Sequence, residues 1–418
     1  MPVPPAMFRV IALLLFAITG YGQLPPLHDA IRNGDLPRVS VLIRSGANVN
    51  AADPAGTPPL IAAVLSNQLE ITRFLLGHGA AIDARQGETG GTALYYAVAN
   101  GRPELVRILL QSGARTELRF RDNQTVLHLA AVRGEAQIAD LLLAGGALLD
   151  ATDSSGNTPL DAAVLHGRAA VAELLVGRGA DPNRVHGPNK RGPLDEAAIA
   201  GYAPIADILI RAGADPTARD NSGQSPLDLA LAYKNKQVVE RLLRVADSQT
   251  ALRREFGAAM ENAVARGRTA TARLLLDSGW SANERTSAGS TYLNDAALKG
   301  RLPLAHLLLD YGAAVDSRNS QGGTPLHDAA IGGNPELIDL LIERGAAVDV
   351  RDTESDATPL MLAASLGNSA AVTALLAHGA NPLLVDRTGR SALARAREAQ
   401  NPELVRLLET AKRSAAKS

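Results

Sequence analysis

One apolar position in this chain returns every 33 or 34 residues, and that beat limits the fold more than any other feature. Leu27, Leu60, Leu94, Leu127, Leu160, Leu194, Leu227, Met260, Leu293, Leu326, Leu360 and Leu393 stay in step through twelve copies. A glycine keeps the same period at Gly46, Gly79, Gly113, Gly146, Gly179, Gly213, Gly279, Gly312, Gly345 and Gly379. A unit this short cannot cover its own apolar face, so each copy must be covered by its neighbours in a stacked array. The composition agrees. Aromatic residues make up only 3% of the chain, which suits thin layers of small side chains better than one broad core.

The stretch from Gly322 to Asp349 shows what one unit builds. Thr324 can cap a helix whose first position is Pro325, where no N–H is needed. Leu326, Ala329 and Ala330 share one face at helical spacing, and Gly332-Gly333 stops the run. Asn334 and Pro335 start a second helix, with Glu336 in its first turn and Leu337, Leu340 and Leu341 along its buried stripe. Gly345 supplies the left-handed residue expected past a helix end. The unit is a helix–turn–helix followed by a turn.

The motif stands as Thr158-Pro159-Leu160, Thr324-Pro325-Leu326-His327 and Thr358-Pro359-Leu360, with Gly-Ala-Asp-Pro-Asn from Gly179 to Asn183. It resembles the ankyrin repeat, and the resemblance runs from about Leu24 to Ala411. It implies an all-α solenoid of helix–turn–helix units, each with a β-hairpin-like finger, forming a curved superhelix. Fingers and inner helices would make the concave face, where members of this family contact protein partners. His28, His128 and His327 share one repeat position, and the resemblance implies hydrogen bonds within and between repeats there.

Residues 1–22 differ from the rest. Arg9 precedes the apolar run Val10 to Ile18, and Gly20-Tyr21-Gly22 offers small residues for cleavage. This pattern predicts a secretory signal peptide rather than a membrane anchor, because the run is too short to span. The expected location is periplasmic or secreted, in a bacterium. The chain has no cysteine, so neither a lipid attachment site nor a disulfide framework is expected. Repeats 1–7 are expected at 23–243 and repeats 8–12 at 259–411, with a basic, frayed tail at 412–418. Between the two blocks, 244–258 lacks the Gly-Ala finger signal. It is expected to be either an irregular connector and hinge or a degenerate repeat that still stacks, with Ser248 as a candidate helix cap. Fingers 87–91, 184–191 and 353–357 each carry one extra residue.

No catalytic, cofactor-binding or metal-binding set is assigned, since H-E-x-x-H, G-x-S-x-G and the phosphate-loop spacing are all missing from the sequence. A net charge of −1 gives no field that would favour nucleic acid or a membrane. What remains is recognition of a protein partner by a monomer. Arginine recurs at the finger tips, including Arg85, Arg119, Arg121, Arg191, Arg219, Arg285, Arg318, Arg351 and Arg387. These either pair locally with adjoining aspartates or form a row of guanidinium groups for an acidic partner. Phe120 has no evident core role, and Gln124 follows it in the same finger. Tyr95, Tyr96 and Tyr233 fall on inner helices, and His166 falls at an inner-helix end. Tyr and Arg are common interface anchors, so these residues form the expected contact surface. Trp280 stands where other copies have alanine and is expected to pack in its turn. A secreted effector acting on host proteins would use the same surface. An enzyme or small-ligand regulatory subunit is the competing class, and the sequence leaves no separate domain for one.

Overall fold

The structure is a computed structural model that describes residues 25–87 and 90–415. The expected signal peptide at 1–22 lies outside the described residues. Within them are 24 α-helices and no strand, arranged as twelve helical hairpins. The chain forms an all-α solenoid. The fingers are turns rather than ladders, with single antiparallel bridges at His186–Arg191, Arg285–Thr291 and Val385–Ser391.

The helices are too short to hold themselves together in water. Most inner helices have only seven or eight residues, so packing and caps must support them. Three residues after each periodic Leu stands an alanine, from Ala30 through Ala163 to Ala396, and it is fully or almost fully buried in every copy. The missing bulk lets consecutive inner helices lie close together. From the outer helices come Leu75, Leu109, Leu142, Leu175 and their counterparts to Leu408, all with no exposure. Each full burial contributes roughly 1.5–3 kcal/mol.

The capping reading holds in atomic detail. Thr158 and Asp161 satisfy each other's backbone, with Thr158 N–H donating to Asp161 Oδ2 at 2.7 Å. Thr324 N–H donates to His327 Nδ1 at 3.1 Å, and His327 Nε2 lies 3.1 Å from the carbonyl of Ala357 in the next repeat. One ring nitrogen therefore accepts while the other donates, which fixes a neutral tautomer. Burial pushes the His128 and His327 imidazoles below their usual range, in keeping with that role. His28 makes the same bond to the Thr57 carbonyl at 2.9 Å, although Pro25 offers no side-chain cap to its helix. Asn334 Oδ1 accepts from Leu337 N–H at 3.0 Å. At Gly345 a side chain would meet nothing within 4 Å, so its φ of +95° alone calls for glycine.

The segment 244–258 is helical rather than irregular. Helix Lys236–Ala246 ends, three residues turn, and helix Thr250–Arg266 begins at once. The second helix has 17 residues because Leu252 and Phe256 extend its buried stripe upstream of Met260, and no glycine or proline interrupts 250–256. Ser248 does not cap it; Ser248 Oγ donates back to the Val245 carbonyl at 2.9 Å. Likewise, Lys412 to Ala415 are helical, continuing helix Pro402–Ala415.

The chain divides into two compact units, 1–196 with 208–214, and 197–207 with 215–418. The 244–258 segment lies inside the second unit. Each unit is a stack in which an inner helix packs on its own outer helix and on the inner helices beside it.

Candidate functional site

The finger arginines have definite destinations. In the second unit, Arg285 Nη1 donates to the Gly289 carbonyl of its own turn at 2.7 Å and to the Arg318 carbonyl of the next finger at 3.0 Å. Arg318 Nη1 repeats the pattern to Gly322 at 2.6 Å and Arg351 at 2.9 Å. Arg351 Nη1 reaches Asp356 and Val385 at 3.1 and 2.8 Å. In the first unit, Arg85 Nη1 lies 3.2 Å from the carbonyls of both Gly90 and Arg119, while Arg119 Nη1 donates to Asn123 at 2.9 Å and Thr152 at 2.8 Å. Each of these arginines staples its own turn to the finger about 33 residues on. The expected row of guanidinium groups is thus tied into the backbone.

Arg85 does one thing more. Its guanidinium lies 5.6 Å above the centre of the Phe120 ring. Phe120 packs against Tyr95 with ring centres 4.6 Å apart, and Tyr95 meets Tyr96 edge-on at 5.3 Å. Tyr95 and Tyr96 sit in the first turn of helix Ala93–Ala99, whose cap is Thr92. A side chain at Gly91 would come within 2.9 Å of both tyrosine rings, so glycine makes room for them. All three aromatic residues are half-buried. Phe120 therefore has a packing role that its sequence position did not disclose. Four expected contact residues, drawn from two fingers and one inner helix, form a single patch in the first unit.

Arg121 lies exposed at the edge of this patch, in a short turn where Asp122 and Asn123 take left-handed φ values of 55° and 59°. Gln124 holds the turn through its carbonyl, which accepts from Phe120 N–H at 2.9 Å. The remaining candidates do not join the patch. His166 is exposed at the end of helix Pro159–Leu165, with Nδ1 2.9 Å from the Ala162 carbonyl. Arg191 is half-buried in one of the lengthened fingers, opposite His186. Tyr233 is exposed at the end of helix Pro226–Ala232 in the second unit. Arg219 bonds its own turn at Gly223 (2.8 Å) and pairs with Glu255 at 2.6 Å.

Trp280 packs as expected, and several contacts became visible only in the fold. His186 Nδ1 lies 3.3 Å from the buried Asp161 carboxylate, which raises the imidazole above its usual range. Trp280 is buried against Phe256, with ring centres 5.5 Å apart, and its indole N–H donates to Tyr292 Oη at 3.1 Å. Arg254, Arg266 and Arg268 are exposed beside helix Thr250–Arg266. Among the described residues no group of three or more His, Asp or Glu side chains is placed to hold a metal, and no helix is long and apolar enough to cross a membrane.

Comparisons with known proteins identify the repeat unit. The family model for ankyrin repeats in three copies matches residues 27–120, 116–186, 260–353 and 326–415, and the single-repeat model matches 189–221. The chain is 38% identical over 109 residues to the B-cell lymphoma 3 protein homolog of Mus musculus, covering 26% of this chain and 24% of that one. It is 40% identical over 87 residues to protein phosphatase 1 regulatory subunit 27 of Mus musculus, covering 21% of this chain and 56% of that one. The crystal structure of the ankyrin repeat domain of Bcl-3 aligns with a TM-score of 0.47 at 30% identity, over 50% of this chain and 95% of that one. Ankyrin-repeat proteins are generally protein-interaction scaffolds. With a recurring unit, its caps and its glycine turns all in register, this chain belongs to the ankyrin-repeat family.

Proposed function

We propose that this protein is an exported, non-enzymatic scaffold that holds a partner protein against the patch of Tyr95, Tyr96, Phe120 and Arg85. The observation that carries the reading is the assembly of three aromatic rings and a guanidinium from separate elements into one half-exposed surface. Each ring is held by a neighbour, so little rotamer freedom remains to be lost on docking. Aromatic residues and arginine are the side chains that most often dominate interface energies. Export is supported by the apolar run Val10 to Ile18 after Arg9, with small residues at Gly20 and Gly22.

A photo-crosslinking side chain at position 120, introduced into the full chain in producing cells, tests the reading. It should capture a discrete partner from the periplasm or medium. Binding of that partner should then weaken about 30-fold or more in the Tyr95→Ala, Phe120→Ala double variant, as loss of a central anchor predicts, while the far-UV spectrum is unchanged. Equal binding by the double variant would remove this patch from the proposal. Retention of the full chain in the cytoplasm on cell fractionation would remove export.

A further inference from the structure

We propose a second binding site, in the second unit, for an acidic peptide segment of a partner protein. It is a cleft of about 890 Å³ between the finger at Arg219, helix Pro226–Ala232 and helix Thr250–Arg266. The cleft exists because one finger is missing. Helix Thr250–Arg266 runs about two and a half turns longer than other inner helices, and those turns stand in the row where a finger would be. Arg219 would otherwise donate to a finger carbonyl some 33 residues on; here it meets the Glu255 carboxylate. On the other side, Arg253 pairs with Glu284 at 2.5 Å. The space beside the helix stays open.

The charge in that space is one-sided. Arg254, Arg266 and Arg268 line the cleft, and all three are exposed. The cleft's two carboxylates, Asp228 and Glu255, both lie within ion-pair distance of Arg219. With both carboxylates paired to Arg219, the other three guanidinium groups face solvent without an ion-pair partner, and the cleft is net positive. This is the reverse of the finger staples, where the guanidinium groups are bound to carbonyls. The floor is made of Ala232, Ala258, Ala259 and Ala263, which lets a peptide backbone approach closely. Asn262 and Gln224 at the walls carry amides suited to peptide groups. Guanidinium forks match carboxylates in geometry and charge. No aromatic side chain lines the cleft on which a nucleobase could stack, so a Glu/Asp-rich segment fits it better than a nucleic acid. The site does not depend on the aromatic patch of the first unit.

The test is fluorescence anisotropy of the full chain with a labelled Glu-rich decapeptide, run beside a Lys-rich decapeptide and a single-stranded decanucleotide. The Glu-rich peptide should bind and should weaken about 30-fold or more in the Arg254→Glu, Arg266→Glu, Arg268→Glu variant. It should bind equally well to Arg406→Glu, which reverses an exposed arginine elsewhere in the same unit. Phe120→Ala should leave peptide binding unchanged, which separates this site from the aromatic patch. No binding at millimolar peptide, equal binding by the triple variant with its helical spectrum intact, or tighter binding of the oligonucleotide would each overturn the proposal.

Discussion

The fingers at 285–290 and 318–323 and the fingerless segment 247–256 solve one problem with opposite chemistry. Both must join a repeat to its neighbour on the same side of the stack. The fingers do it with polar bonds, one arginine clipping two carbonyls. The fingerless segment does it with apolar area. Phe256, Trp280 and Tyr292 are all buried, and Arg253 lies 5.3 Å above the Trp280 ring. Repeat register survives the exchange, because Met260 and Ala263 keep their buried places in the inner helix. The fold therefore depends on the inner helices, and the finger is a replaceable joint. Where the finger is missing, a cleft lined by Arg254, Arg266 and Arg268 lies beside helix Thr250–Arg266.

If that contrast is sound, the apolar joint should be the more costly to break. Trp280→Ala removes the stack on Phe256 and the partner of Tyr292 Oη together. An expected loss is about 3–5 kcal/mol, the range for a buried aromatic truncated to alanine, plus an unpaired buried hydroxyl. Urea denaturation followed by circular dichroism would measure it. Trp280 is the only tryptophan, so in the unaltered protein its fluorescence reports this joint alone. A loss below about 1 kcal/mol would mean the joint rests on something other than these rings.

Much of this was legible in the sequence. The periodic Leu and Gly positions express packing and backbone conformation inside one short unit, and their spacing shows directly. The caps at Thr158 and Thr324 were visible for the same reason. The arginine destinations were not, because a backbone carbonyl 33 residues away is an acceptor that any residue type supplies. Phe120 looked like a bare tip because its partner, Tyr95, belongs to the preceding repeat. The joint at 247–256 was hidden most deeply. Its signal was a motif gone missing, and the role of Trp280 depends on Phe256 and Tyr292, which only the folded stack brings to it. The matched family stretches stop at 221 and resume at 260, so family resemblance passes over the same place.

A middle-sized effect should separate the two joints by pH. On the polar side, Asp328 is buried and accepts from Asn294 at 2.6 Å and from the finger residue Asn319 at 3.2 Å. Burial pushes its carboxyl up to about 6 from 3.8 despite those donors. A folded-state value above the unfolded one means the folded chain holds its proton longer. Stability should then fall as pH rises from about 4 through about 6 and level off above. Asp328→Asn should stabilise the protein by about 3 kcal/mol at pH 8 and by almost nothing at pH 4, read as shifts in urea midpoint. Asp386 works in the other direction. Burial opposes its charge, but donors from Thr388, Arg390 and Arg395 outweigh that and hold it well below the usual range. Its contribution is present above about pH 4 and is lost on further acidification. The aromatic joint should be indifferent across this window, since burial pushes the Tyr292 hydroxyl up to about 12. Equal pH slopes for Asp328→Asn and the unaltered chain would show that this carboxyl does not set the polar joint's response.

The smallest effect draws the sharpest line, because it compares arginine with arginine inside one unit. Arg318→Ala removes one side chain that bonds two carbonyls at 2.6 and 2.9 Å. The bond to Gly322 is part-buried and the bond to Arg351 is exposed, so the net loss should be only about 1 kcal/mol. Arg318→Lys should lose about half as much, since a single ammonium can reach one carbonyl but lacks the planar fork that serves both. Arg254→Ala should cost nothing measurable, because its guanidinium faces the open cleft. If Arg254→Ala destabilised the chain as much as Arg318→Ala, the cleft arginine would be structural after all, and the division between stapling and ligand-facing arginines would fail. If both were neutral, the fingers would owe their order to the Asx-type turns alone, in which Asn319 Oδ1 accepts from Gln321 and Gly323 N–H groups at 3.0 and 2.9 Å.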